Sequence, residues 1–367
     1  MIDGKMTRRA FVGTAAMATL AACGGGASSA ASTASTASTA STTDATSAAA
    51  ATGDVLITMV TDTGGVSDQS FNQLAWAGMN TLKDENGWNI NYYESKQDSD
   101  YATNLDKAVD DNSNVVWGIG FAMSDAVNEA AEANPDVLFG SIEGSNTSNS
   151  KNLIAVLFKS QEPSFVVGYI AARMSKSGKV GFVGGMTGET IATFEYGYKA
   201  GIAYANAEQG TKVECQSQYA ESFGDAAKGK SIAQKMIKDG CDVLFHAAAL
   251  TGVGMLEACN EAGVYSIGVD ADQGALFPDY KTLLTSALKR VDNAIVQMTN
   301  GLINGTVTGG QTITLGASDD AVGLAETHDN LPDDIYQAAL ELLDKIKAGT
   351  ITAPGTEEEY NEYLKTL

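Results

Sequence analysis

Val55-Leu56-Ile57-Thr58-Met59-Val60 runs directly into Thr61-Asp62-Thr63-Gly64-Gly65-Val66-Ser67-Asp68-Gln69-Ser70-Phe71-Asn72, and this stretch decides the fold class. An apolar run of this length, bounded by turn residues, predicts a buried strand over 55–60. Gly64 and Gly65 permit a tight turn, and either Ser70 or Asp68 is suited to cap the helix expected over 70–85. The pattern then repeats. Strands are predicted over 115–119, 137–142, 153–158, 179–183, 243–246 and 264–269, with helices over 101–111, 125–133, 189–207, 226–238 and 254–262 between or after them. Strands alternating with helices of this length predict an α/β protein of parallel sheets with helices on both faces.

Right-handed crossovers bring the loops that follow each strand to one rim, where ligands of such folds bind. The unusual residues lie in those loops. Phe71 and Asn72 occupy the first turn of the first helix, and Asp125 follows Gly120-Phe121-Ala122-Met123-Ser124. Gly184-Gly185-Met186-Thr187-Gly188 leads to Phe194; Ala247-Ala248-Ala249-Leu250-Thr251-Gly252 follows His246; Asp270-Ala271-Asp272-Gln273 follows Val269. Each loop alone has a structural explanation: Phe71 suits a core and Asp125 suits a helix cap. Five of them on one rim predict a binding cleft.

From residue 54 onward the chain is long enough for two lobes with separate cores. A formal net charge of -22 disfavours nucleic acid as a partner. Catalytic signatures are missing. The glycine loop at 184–188 lacks the lysine of a P-loop, and Gly118-Ile119-Gly120 is too short for a dinucleotide fingerprint. Two histidines, His246 and His328, have no ligand set beside them, so neither a metal nor a Ser-His-Asp site is expected, nor any cofactor. Cys215, Cys241 and Cys259 form neither a metal motif nor a disulfide framework, although one disulfide among them stays open.

The N-terminal region carries an address. Arg8-Arg9 precede a short apolar run that ends in Leu20-Ala21-Ala22-Cys23-Gly24. A charged start, an apolar core too short to span a bilayer and small residues at the end make residues 1–23 a signal peptide. Its end resembles the lipobox of bacterial lipoproteins, in which the cysteine is acylated, here Cys23. The arginine pair also resembles a twin-arginine signal, leaving both export routes open. Residues 24–53 are almost wholly Gly, Ala, Ser and Thr, a composition that predicts a flexible tether. The expected location is a cell membrane, lipid-anchored through Cys23 on its extracytoplasmic side.

Asp62-Thr63-Gly64-Gly65 with Ser70-Phe71-Asn72-Gln73-Leu74-Ala75-Trp76-Ala77-Gly78 resembles the opening of the BMP family of lipoproteins, the basic membrane protein and PnrA-like receptors. The similarity continues through Asp100-Tyr101-Ala102-Thr103-Asn104-Leu105, Gly168-Tyr169-Ile170-Ala171-Ala172 and Phe194-Glu195-Tyr196-Gly197-Tyr198-Lys199-Ala200-Gly201. It ends with Ile267-Gly268-Val269-Asp270 and Thr285-Ser286-Ala287-Leu288-Lys289-Arg290-Val291-Asp292. These blocks run in order over most of the chain from Asp54 to about Asn304.

The resemblance implies a type I periplasmic-binding-protein fold with two lobes and a hinge. One lobe would comprise 54–160 plus about 286–315, the other 161–285 plus about 316–367. It implies a solute receptor of an ABC importer, binding a purine nucleoside between the lobes and delivering it to the permease. Phe71 and Phe194 would sandwich the base, and Asn72 and Asp125 would bond its edge. Asp270 and Lys289 would take the ribose, with backbone at Gly252 close to the sugar; Asp62 and Ser70 complete the implied set. A monomer suits a receptor that closes and docks. The competing expectations are a sugar or autoinducer receptor on the same fold and a nucleoside-cleaving enzyme. The two-sided aromatic clamp favours a base over a bare sugar.

Overall fold

A computed structural model describes residues 55–367; the expected signal peptide, Cys23 and the tether at 24–53 lie outside them. The chain begins with β1 (Leu56–Thr61), α1 (Phe71–Asn86), β2 (Asn89–Tyr93), α2 (Asp100–Asp110), β3 (Val115–Ile119), α3 (Ser124–Ala133), β4 (Leu138–Ile142) and β5 (Leu153–Phe158). It continues with α4 (Gln161–Met174), β6 (Lys179–Gly184), α5 (Glu189–Gln209), β7 (Glu214–Tyr219) and α6 (Ala226–Lys238). Then come β8 (Val243–Ala247), α7 (Ala249–Ala262), β9 (Tyr265–Asp270), α8 (Gln273–Leu276) and β10 (Leu283–Lys289). The last part holds α9 (Val291–Ile303), β11 (Gln311–Leu315), β12 (Val322–Leu324), α10 (Asp333–Lys347) and α11 (Glu357–Tyr363).

The strands form two sheets of six, ordered β11-β5-β4-β3-β1-β2 and β12-β10-β9-β8-β6-β7. All pairs are parallel except β10 with β12. This is the two-lobed type I architecture that the resemblance implied. The chain passes between sheets after β5, after β10 and after β11. Residues 286–289, expected in the first lobe's return segment, pair in the second sheet, and the crossing falls at Arg290.

Alternation along each strand fills both faces. In β1, Ile57 and Met59 join a core with α1 and α9, whereas Val60 faces a cluster with Leu105 and Val127 of α2 and α3. In the second sheet, Phe182 and Phe245 pack toward α4 and α5, and Val183 and Leu244 toward α6 and α7. Pattern reading missed five strands, β2, β7, β10, β11 and β12, of which β2 and β7 are Asn-Ile-Asn-Tyr-Tyr and Glu-Cys-Gln-Ser-Gln-Tyr. Both are edge strands, half exposed, so they carry no apolar run to read. Cys215, Cys241 and Cys259 are free thiols.

One buried polar contact ties the returning segment to the first sheet. Trp117 Nε1 of β3 donates to Thr299 Oγ1 of α9 at 2.9 Å, both side chains being buried. Thr299→Val keeps the shape but strands the indole N–H. Urea denaturation of this variant is expected to show a loss of about 1–3 kcal/mol; an unchanged midpoint would mean the bond contributes nothing.

Candidate functional site

The helix start after β1 is capped from outside the helix. Asp68, not Ser70, does it: its carboxylate accepts from the backbone N–H groups of Ser70, Asn72 and Gln73 at 2.9, 2.9 and 3.0 Å. Ser70 is thereby freed to point across the cleft, where its Oγ donates to Asp270 Oδ2 at 2.6 Å. A second bond runs alongside, from Gln273 Nε2 to the Gln69 carbonyl at 3.0 Å. Gln69 and Asp270 both hold left-handed backbone, φ 55° and 61°, so the residues meeting between the sheets are held in strained conformations.

Between the strand ends lies a cavity partly open to solvent. Of the residues expected at the site, Asp62, Phe71, Phe194, Asp270 and Lys289 line it. Lys289 is its centre. The buried ammonium lies 2.8 Å from Glu143 Oε1 of the first lobe and 3.6 Å from Asp270 Oδ1. It also sits over the rings of Phe71 and Phe194, 4.6 and 4.9 Å from their centroids. Burial by itself would lower the Lys289 pKa, but Glu143 and Asp270 outweigh it and raise the value. Lys289 therefore stays protonated, and among the described residues it is the only basic side chain lining the cavity. Asp270 Oδ1 has no hydrogen-bond partner among the described residues.

Four expected residues do not line the cavity: Ser70, buried and spent on Asp270, and three that stand elsewhere. Asn72 is fully buried behind the wall, its Nδ2 donating to Asp62 Oδ1 at 2.8 Å and Asp68 Oδ2 at 3.0 Å, so it holds Asp62 rather than lining the cavity. Asp125 is exposed on the first turn of α3, outside the cavity. Gly252 lies in α7, which begins at Ala249, five residues before its predicted start at 254. The stretch read as a glycine-bearing loop is helical from Ala249 onward. Gly252 sits against the buried His246 ring, where a Cβ would collide with it, and the cavity wall there is Ala247, Ala248 and Ala249. His246 is a packed residue, hydrogen-bonded through Nε2 to Gln273 Oε1 at 3.0 Å, and burial depresses its pKa to about 4.

Sequence reading missed Glu143, Phe121 and Phe223, which also line the cavity. Glu143 stands directly after β4; Phe121 lies in the loop after β3 but was given no role there, and Phe223 carried no distinguishing pattern. Burial also raises the Glu143 carboxyl, with Lys289 opposing it. Among the described residues no group of three or more His, Cys, Asp or Glu side chains is placed to hold a metal ion. No described helix is long and apolar enough to cross a membrane.

Asp62 gives the site a measurable pH signature. Burial lifts its carboxyl from 3.8 to about 7, against hydrogen bonds from the Gly64 N–H and Asn72. The folded protein thus binds this proton more tightly than the unfolded chain, and stability falls as pH rises from 3.8 to about 7. Asp62→Asn is expected to be the more stable protein above that window, by up to about 4 kcal/mol, with a shallower decline between acid and neutral pH. Urea denaturation across that range checks this, and parallel curves for parent and variant would count against it.

The site can hold a small solute between aromatic faces, with free acceptor and donor atoms beside it, and comparisons with known proteins agree with that capacity. A family profile described as ABC transporter substrate-binding protein PnrA-like matches residues 55–357. Basic membrane protein D of Borreliella burgdorferi is 36% identical over 317 residues, covering 84% of this chain and 90% of that one. A CD4+ T-cell-stimulating antigen of Listeria monocytogenes is 38% identical over 320 residues, covering 82% and 88%. Among solved structures, a solute-binding protein of an ABC transporter system from Aeropyrum pernix superimposes with a TM-score of 0.76 at 27% identity, covering 85% and 98%. An arabinose-binding protein from Geobacillus stearothermophilus, at 14% identity and a TM-score of 0.53, shares the fold. With the profile spanning nearly all of the described residues, the chain belongs to the PnrA-like family of ABC transporter substrate-binding proteins.

Proposed function

We propose that this substrate-binding protein takes a purine nucleoside into the cavity between its two sheets and hands it to a membrane permease. The observation that carries this reading is the pair of rings, Phe71 from the first lobe and Phe194 from the second, flanking one buried ammonium. Two aromatic faces on opposite walls suit a flat heterocycle, which gains apolar burial and offset stacking on both sides. Asp62, held by Asn72 and Gly64, offers the base edge a carboxyl that is a donor when protonated and an acceptor when not. Asp270 Oδ1 is free to accept from a ribose hydroxyl, and Lys289 has N–H groups beyond the one given to Glu143.

Closure follows from the same contacts. Each lobe supplies one ring, so both rings engage the ligand only when the lobes are shut, and binding shifts the population toward that state. The three chain crossings serve as the hinge. The shut form, acting as a monomer, docks on the permease, and Cys23 anchors the receptor by its lipid at the membrane.

Calorimetric titration of residues 54–367 with purine nucleosides, pyrimidine nucleosides and pentoses tests the ligand. Purine nucleosides are expected to bind the parent, with Phe71→Ala and Asp270→Ala each weakening them at least about tenfold. If pentoses alone bind, the same-fold sugar receptor is the correct reading. Anchoring is tested separately: Cys23→Ala in the full chain is expected to stop incorporation of labelled palmitate and release the protein from the membrane fraction.

A further inference from the structure

The glycine loop Gly184-Gly185-Met186-Thr187-Gly188 has no phosphate-binding lysine and takes no part in the contacts described so far. Each of its glycines instead backs an aromatic ring. A Cβ on Gly184 would lie 2.6 Å from the Tyr219 ring, one on Gly185 would collide with Phe223, and one on Gly188 would come within 3.1 Å of Phe121 Cε2. The first two rings belong to the same lobe as the loop. Phe121 does not: it follows β3 and reaches over from the first lobe.

Phe121 and Phe223 meet edge to face, centroids 6.0 Å apart with an interplanar angle of 79°. Both line the cavity, one from each lobe. An edge-to-face pair sets the positive rim of one ring on the negative face of the other, an attraction beyond shared apolar area. Phe121 and Glu143 also border a larger, open groove beside the cavity. The Phe121 ring therefore stands where the enclosed space gives way to solvent.

We propose that Phe121, Phe223 and the glycine loop form an aromatic clasp that retains the ligand, with Gly188 as the seat that receives Phe121 when the lobes shut. Phe121 and Phe223 act as positioning residues: they hold the walls together, and the solute's release rate is set by how often the clasp opens. The clasp rests on the receptor reading above but names residues that neither the base stack nor the ribose contacts include. Gly188 is a clean place to test it. Its φ of 170° is extended backbone that any residue adopts, and the three atoms nearest a Cβ there all belong to the ring arriving from the first lobe.

The experiment measures guanosine release by stopped flow for Phe121→Ala, Gly188→Val and the double variant, with small-angle scattering of each protein alone. Each single variant is expected to release guanosine about 2- to 10-fold faster than the parent and to have a larger radius of gyration. The double variant is expected to release no faster than Phe121→Ala, since valine at 188 then has no ring to obstruct. Unchanged release in the single variants, or additive effects in the double, overturns the clasp. If guanosine does not bind the parent, the nucleoside reading fails, and scattering decides the clasp on its own. Expansion of both single variants upholds it, and radii equal to the parent's overturn it.

Discussion

The site depends on one buried charge balance. Lys289 sits at the end of β10 with its ammonium out of water, and taking an ion out of water costs several kcal/mol unless partners replace the hydration. Glu143 from the first sheet and Asp270 from the second supply that replacement, while Phe71 and Phe194 place their negative faces toward the same nitrogen. Loss of either carboxylate would leave the ammonium with one ionic partner in place of two and remove part of that replacement. Because the partners come from different lobes, this single cation ties the two lobes together.

Around it the acidic groups divide the work by environment. Asp68 is consumed as the cap of α1, accepting three backbone N–H groups, and burial raises its pKa. Asp62 is pinned by Gly64 and Asn72 at the cavity wall. Asp270 bonds Ser70 through one oxygen and leaves the other free. The strained backbone at Gln69 and Asp270, where the two lobes are hydrogen-bonded, is the kind of locally costly conformation that surrounding structure sustains at binding sites.

The polar bonds of Ser70 and Gln273, the ion pair of Lys289 and the aromatic contact of Phe121 with Phe223 all cross between lobes beside one cavity. Directional bonds fix the register of closure, whereas the aromatic contact adds attraction that tolerates small rotations. A receptor needs both, since it must shut on one geometry and still open to release its solute.

Residues that speak locally were legible in the chain itself. The apolar runs at 115–119 and 153–158 determined strands because no other element buries so short a continuous run. Gly64-Gly65 marked the turn, while the cap stayed open between Ser70 and Asp68 until the structure chose Asp68. Phe71, Phe194 and Asp270 were findable because each stands at or near a predicted strand end, whereas Lys289 entered only through the family resemblance of its block. Polar edge strands such as β2 left no such mark, and the helix start at Ala249 was read as a loop. What only the tertiary structure decided was pairing across long sequence separation. Glu143 meets Lys289, Ser70 meets Asp270, Asn72 turns inward to Asp62 and Asp125 turns out to solvent, because the packing of one sheet against another chooses those partners and no local pattern encodes it.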